Sequence, residues 1–273
     1  MTHDGLTAIL LGIVEGITEF IPVSSTAHLL LAKMLLGLPD GFWDTFIVLI
    51  QMGAILAVVA LYFQRLLGVA LRLPSDPAAR RFVISLGIAL IPAMVLGFGL
   101  HDVIKKVLFE SPKLICWSLL VGGIVLGLLD HFRPAPVISD SEKIPWLKSF
   151  LIGCSQCLAL VPGVSRSGAT IAGSLLLGVE RRAAAEFSFF LAIPTMAGAF
   201  ALDAWKSRHD IDMSHAGIIA IGFVVSFAAG LLAIKTFIDY LAKHGFAVFA
   251  IWRVLIGGGG LIWLYFFAHA AAG

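Results

Sequence analysis

Residues 15–28 read Glu-Gly-Ile-Thr-Glu-Phe-Ile-Pro-Val-Ser-Ser-Thr-Ala-His and lie between two apolar runs, 6–14 and 29–36. Two carboxylates, three hydroxyls and an imidazole thus interrupt sequence that otherwise suits a lipid environment. Glu15 and Glu19 are spaced i and i+4, so a helix brings them to one face. Pro22 removes a backbone donor and disfavours helix at Ile21. Ser24, Ser25 and Thr26 are suitable N-caps for a new helix that would carry His28 one turn in. The stretch therefore predicts two half-helices meeting at a polar break. At bilayer depth two unpartnered carboxylates would cost about 5 to 7 kcal/mol, so a compensating partner, in the first place a cation, is expected. A pair lying at the membrane surface would avoid that cost, but the apolar sequence resumes within a few residues.

Composition agrees with burial in lipid. Hydrophobic residues make up 59% of the chain and charged residues 13%, with mean hydropathy +0.99, whereas charged residues alone form about a quarter of a soluble domain. The chain is expected to be an all-α, polytopic helical membrane protein. A net charge of +2 gives no reason to expect nucleic acid as a partner; the placement of basic residues matters more. Residues 1–5 carry no basic n-region and no small-residue cleavage site follows, so the first apolar stretch is expected to stay in place. The three cysteines, Cys116, Cys154 and Cys157, give no disulfide framework. Cys154 and Cys157 are read as small packing residues on a helix.

Six full spans are expected, at residues 44–63, 82–100, 114–129, 183–202, 215–234 and 246–268. A polar loop over 64–81 carries Arg65, Arg72, Arg80 and Arg81. Arg133, Lys143 and Lys148 fall in a proline-bearing connector, and Arg181, Arg182, Lys235 and Lys243 on the same side by alternation. These eleven basic residues face five on the other side, Lys105, Lys106, Lys113, Lys206 and Arg208. The bias puts both termini outside.

A second break occurs at Pro162-Gly-Val-Ser-Arg-Ser-Gly-Ala-Thr170, after a short apolar run. Laid over the first break at a single constant offset, it pairs Gly12, Glu15, Val23 and Ser24 with Gly153, Gln156, Val164 and Ser165. Each half then continues with three spans, an odd number, so the second half must be inserted upside down. Short, interrupted apolar segments at matching positions point to an inverted-topology repeat with its site at midplane, built here on two re-entrant broken-helix hairpins. The division is a single membrane domain over 1–273, with a first repeat at 1–130 and a second at 148–273. Broken helices at that depth must be buried in protein or line a cavity.

If the two breaks face each other, Glu15, Glu19, Ser24, Ser25, Thr26, His28, Ser165, Arg166, Ser167 and Thr170 share one site. Both second half-helices begin there, and a helix N-terminus suits a phosphate oxygen. Arg166 adds a bidentate fork for the same group. Two carboxylates beside a phosphate need a divalent cation between them, and Mg²⁺ takes one or two carboxylates plus phosphate oxygens. The constellation reads as a metal-assisted phosphate site. His28 could serve as general base, nucleophile or hydrogen-bonded core histidine.

Glu15-x-x-x-Glu19 followed by Pro-Val-Ser-Ser-Thr-x-His28, together with Pro162-Gly-x-Ser-Arg-Ser-Gly-Ala-Thr170, resembles the integral-membrane undecaprenyl-pyrophosphate phosphatase family of the bacitracin-resistance type. The resemblance covers essentially the whole chain. It implies removal of the terminal phosphate of undecaprenyl pyrophosphate to regenerate the monophosphate carrier of cell-wall polymers. It also implies Mg²⁺ or Ca²⁺ dependence, a bacterial inner-membrane location with the site open to the periplasm, membrane lipids as surroundings, and a homodimer. By motif position it makes Glu15 and Glu19 the acidic, metal-binding pair, Ser25 and His28 the reactive hydroxyl and imidazole, and Arg166 the phosphate-binding arginine. Ser24, Thr26, Ser165, Ser167 and Thr170 flank the substrate. The competing expectation is a transporter or flippase that moves polyprenyl phosphate or another solute, since such proteins also use inverted repeats with broken helices.

Overall fold

The computed structural model describes residues 3–103, 111–206 and 215–266. Lys105, Lys106 and Arg208, expected on the outer side, lie outside the described residues, as do His209 and His269.

Eleven α-helices follow one another among the described residues: α1 (His3–Thr18), α2 (Ser25–Leu35), α3 (Phe42–Leu61), α4 (Phe63–Arg72), α5 (Pro77–Val103), α6 (Pro112–Phe132), α7 (Trp146–Gln156), α8 (Arg166–Leu176), α9 (Arg181–Lys206), α10 (Ala216–His244) and α11 (Ala247–Phe266). Six of them, α3, α5, α6, α9, α10 and α11, are long and apolar enough to cross a membrane. Each overlaps one of the six expected spans. The protein is all-α and multi-pass.

Three expectations need correction. The polar loop over 64–81 is mostly helical: α4 runs to Arg72 and α5 begins at Pro77. Phe63, Leu67 and Leu71 share one face of α4 and are exposed, as in a helix lying along the membrane interface. Arginines at 65 and 72 masked that apolar stripe. The fifth span also does not end at 234, because α10 continues through Lys235 and Asp239 to His244. Its last turns bury Phe237, Ile238 and Leu241, so packing sustains the helix beyond the apolar stretch. All three cysteines are free thiols, with Cys116 buried and Cys154 exposed on the surface of α7 rather than packed.

The two broken segments form at the expected places. α1 stops at Thr18 and α2 starts at Ser25; α7 and a 3₁₀ turn, Cys157–Leu160, stop before α8 starts at Arg166. Each hairpin leans on a long span from the other half of the chain: α1 packs along α10, and α7 along α5. Gly12 and Gly153, which match each other in the two halves, sit at these crossings. A β-carbon on Gly12 would run into the Gly222 carbonyl of α10, and one on Gly153 into the Ala89 backbone of α5. The glycines of α6 and α11 serve contacts within the chain: Gly123 lies against the Ala250 carbonyl and Gly257 against the Cys116 carbonyl.

The main core joins α3, α5, α9 and α10 around Phe82, Phe187, Phe189, Phe190, Phe237 and Phe246. Phe20, from the first break, is fully buried in it and meets Phe189 edge-on at 5.3 Å between centroids. That anchor holds the tip of the first hairpin against α9. At the end of the molecule that carries most of the basic residues, Arg65 bonds Glu142 at 2.8 Å and Glu186 at 2.7 Å. Arg181 bonds Asp130 at 2.7 Å.

Candidate active site

The two breaks share a local geometry. Ser24 has φ 73° and Ser165 φ 71°, the only described non-glycine residues with positive φ, and they occupy matching positions of the two halves. Each is an N-cap. Ser24 Oγ accepts from the Ala27 N–H at 3.4 Å, and Ser165 Oγ from the Gly168 N–H at 3.1 Å. A serine in this conformation is strained, and surrounding structure must impose it.

The tips touch. Ser167 Oγ donates to the Ile21 carbonyl at 3.2 Å, and the β-carbon of Pro22 lies beside Gly168. Arg166 Nη2 donates to Glu19 Oε1 at 2.8 Å across the junction. Ser25 donates its hydroxyl to the other oxygen, Glu19 Oε2, at 2.5 Å. Glu19 is thus held from both sides, and Arg166, Glu19 and Ser25 form one continuous line. All three are largely buried.

Ser188 of α9 completes the support. Arg166 Nη1 donates to its carbonyl at 2.9 Å, and the Thr170 hydroxyl meets the Ser188 hydroxyl at 2.6 Å. Arg166 Nε is buried without a hydrogen-bond partner. Ser24 and Ser165 act through their caps, Thr170 through Ser188, and Thr26 lies half-buried on the first turn of α2.

Glu15 is completely buried; no N–H or hydroxyl donor reaches its carboxylate, which lies against that of Glu19. Glu19 and Arg166 are the charged groups acting on it. Gln156, its counterpart in the second half, is likewise buried with both amide atoms unpartnered. An orphaned carboxylate at this depth is costly unless something pairs with it. Among the described residues no group of three or more His, Cys, Asp or Glu forms a cage. The donor set therefore suits an ion that needs one or two carboxylates and completes its shell with water and phosphate oxygens, as Mg²⁺ does.

His28 is placed differently from the other members. Its Nδ1 lies 2.8 Å from the Ser24 carbonyl, and its Nε2 lies 2.8 Å from Trp252 Nε1. An indole nitrogen only donates, so Nε2 must be the acceptor and Nδ1 the protonated nitrogen. Both ring positions are engaged, and Ser25 is bonded to Glu19 instead. The indole and imidazole planes are 8° from parallel with centroids 6.1 Å apart, so the two rings meet edge to edge through the Trp252–His28 hydrogen bond.

Three residues at the site were not singled out by sequence: Ser188, Trp252 and Arg253. Ser188 and Trp252 carry no signal in an apolar helix. Arg253 does, because an arginine within a spanning helix is costly and seldom placed without a partner.

The bacitracin resistance protein BacA family matches residues 8–259. A relative from Caulobacter sp. (strain K31), named undecaprenyl-diphosphatase, is 59% identical over 266 residues, 96% of this chain and 98% of the relative. Relatives of the same name from Rhodopseudomonas palustris (strain BisB18) and Afipia carboxidovorans are 53% and 54% identical over 263 residues, 96% of this chain and 98% of each relative. With the paired hairpin motifs inside that match and the similarity running through nearly the whole length, the chain belongs to the bacitracin resistance protein BacA family.

Proposed function

We propose that the protein hydrolyses undecaprenyl pyrophosphate to undecaprenyl phosphate and inorganic phosphate. The observation that carries this reading is the buried line from Arg166 through Glu19 to Ser25, formed where two helix N-termini meet. It joins a nucleophile, a base and an anion-binding fork within hydrogen-bond reach. The names carried by the relatives agree with it.

In this reading the terminal phosphate sits between the starts of α2 and α8, where free N–H groups and the Arg166 guanidinium receive its oxygens. Ser25 Oγ attacks the terminal phosphorus, and its proton passes to Glu19 Oε2. The bond from that phosphorus to the bridging oxygen breaks, and the lipid monophosphate leaves with the proton that Glu19 had taken, which returns Glu19 to its carboxylate form. Water then attacks the phosphoserine, Glu19 accepts a proton from it, and the returned proton restores the Ser25 hydroxyl as phosphate departs. Arg166 offsets the charge that develops on the phosphoryl oxygens. His28, held by Ser24 and Trp252, fixes the first turn of α2. Glu15 and Glu19 would hold a Mg²⁺ or Ca²⁺ ion, which supplies charge neutralisation between carboxylates and phosphate.

A cavity of about 430 Å³, lined almost entirely by apolar atoms, runs from His28 between α2, α6 and α11 past Leu31, Leu35, Leu255 and Trp263. It suits the first part of a polyprenyl tail beside the headgroup site. The same reading places the protein in the bacterial inner membrane with the site opening to the periplasm, supported by the basic residues gathered at the opposite end. It takes residues 1–130 and 148–273 as inverted repeats, supported by the matched pairs Gly12 and Gly153, Glu15 and Gln156, and Ser24 and Ser165. A homodimer belongs to it as well; α5, apolar and exposed along much of its length, is available to a second copy.

Phosphate release from detergent-solubilised protein tests the reading. Hydrolysis needs no sealed compartment, whereas transport by a carrier or flippase does. Release from undecaprenyl pyrophosphate by purified protein is the expected result; movement of lipid across vesicles without phosphate release would overturn it.

A further inference from the structure

Arg253 lies in the second turn of α11 with no exposed surface. Its five N–H donors each reach a different backbone carbonyl. Nε donates to Leu119 at 3.4 Å and Nη2 to Ser118 at 3.2 Å, both on α6. Nη1 donates to Pro22 at 3.1 Å, in the first tip, and to Val164 at 3.2 Å, in the second. Nη2 also donates to Gly163 at 2.8 Å. The full donor capacity of a guanidinium is used. Among the described residues Arg253 forms no ion pair, so its charge is offset by carbonyl dipoles alone. Pro22 and Gly163 each lie two residues before the positive-φ serine of their own tip, so one side chain grips the same position of both hairpins.

We propose that Arg253 is a positioning residue that fixes both tips so that α2 and α8 start toward the same phosphate group. The proposal rests on the phosphatase reading. In a trans peptide the carbonyl and the following N–H point in opposite directions. A Val164 carbonyl drawn to Arg253 therefore turns the Ser165 N–H away from it, and a Pro22 carbonyl does the same for Val23. The positive-φ serine that caps the new helix is part of the Val164 peptide in the second tip and lies one residue beyond the Pro22 peptide in the first. Such conformations persist only where neighbours over-determine them, and Arg253 holds the chain just before each. Removing its fork frees two turns at once without touching Glu19, Ser25 or Arg166. Lysine cannot replace it, because three donors on a point charge cannot reach five carbonyls.

Binding of the lipid tail contributes equally to ground and transition states, so KM should barely respond while kcat falls. The test measures phosphate release from undecaprenyl pyrophosphate by full-length protein in detergent with Mg²⁺, normalised to folded protein by circular dichroism and size exclusion. Arg253→Met is expected to lose about 10²-fold in kcat, the usual cost of a misplaced reacting group, with KM within about threefold. Arg253→Lys should recover less than a tenth of the wild-type value. Gly122→Ala leaves the arginine in place but puts a methyl group against its Nη2; it should lower kcat about 10-fold. Gly127→Ala, whose methyl group meets only ordinary contact with Ala250, should leave activity unchanged. If the Arg253 variants do not fold, the Gly122 and Gly127 pair decides. Wild-type kcat per folded molecule in Arg253→Met or Gly122→Ala, or full rescue by lysine, would overturn the proposal. Absence of phosphate release from wild-type protein would instead overturn the phosphatase reading on which it stands.

Discussion

Ser25 and Glu19, on either side of a helix break, are joined by a 2.5 Å hydrogen bond inside the protein. The break places them there. A continuous helix would put positions i and i+6 on different faces, but the turn at Ile21 to Val23 folds the start of α2 back over the end of α1. The second oxygen of the same carboxylate takes Arg166 from the other half of the chain.

The nucleophile follows from this arrangement. Protein quenched in acid during turnover of terminally labelled undecaprenyl pyrophosphate should retain an acid-stable, alkali-labile label, the behaviour of phosphoserine. Ser25→Ala should retain none, and Glu19→Gln should lose about 10²- to 10⁴-fold in kcat, the worth of a positioned base. An acid-labile label on His28 would contradict the assignment, since the Ser24 carbonyl and the Trp252 indole engage both of its ring nitrogens.

Glu15 predicts a metal requirement. Chelation should abolish phosphate release, and Mg²⁺ or Ca²⁺ should restore it. Glu15→Gln keeps the shape but gives up the orphaned charge, so it should require at least about tenfold more Mg²⁺ for half-restoration, the usual cost of disturbing a metal site. Titration of activity against free metal checks this.

Gly12 and Gly153 predict loss of stability without direct loss of chemistry. Alanine at either position forces apart a helix crossing that now rests backbone on backbone. The cost should be about 1 to 3 kcal/mol each, as for other overpacked sites, read as a lower midpoint of thermal unfolding in detergent.

The Asp140 carboxyl predicts an acid limb. Its surroundings, though partly buried, hold it below the ordinary carboxylate value: burial works to raise it, and the Glu142 N–H, Lys143 and Arg65 outweigh that. A group depressed in the folded state stabilises above the unfolded value of about 3.9 and loses that contribution as pH falls through the lower folded value. Thermal midpoints measured from about pH 6 to about pH 3 should therefore fall at the acid end, and Asp140→Asn should fall less steeply.

Most of the fold could be read from the sequence because its signals are those of the solvent. Six apolar runs of bilayer length became α3, α5, α6, α9, α10 and α11, and both breaks lie at their proline and serine positions. α4 was hidden, since Arg65 and Arg72 read as loop charges while Phe63, Leu67 and Leu71 supplied a stripe too short to stand out. Of the site, the motifs supplied the residues but not their partners. Nothing in the spacing says that Ser25 bonds Glu19 while His28 faces Trp252, because that depends on how α11 crosses α2. Arg253 was open to detection as a charge within an apolar span, but its five carbonyl partners come from three separate parts of the chain.

The central claim is that Glu19 and Arg166, from opposite hairpins, act as one unit on one phosphate. A double-mutant cycle in kcat for phosphate release tests it most directly, with Glu19→Gln, Arg166→Gln and both together. Groups that act as a unit are strongly non-additive, so the double variant should lose little more than the worse single variant. Losses that multiply, as for two independent sites, would contradict the account.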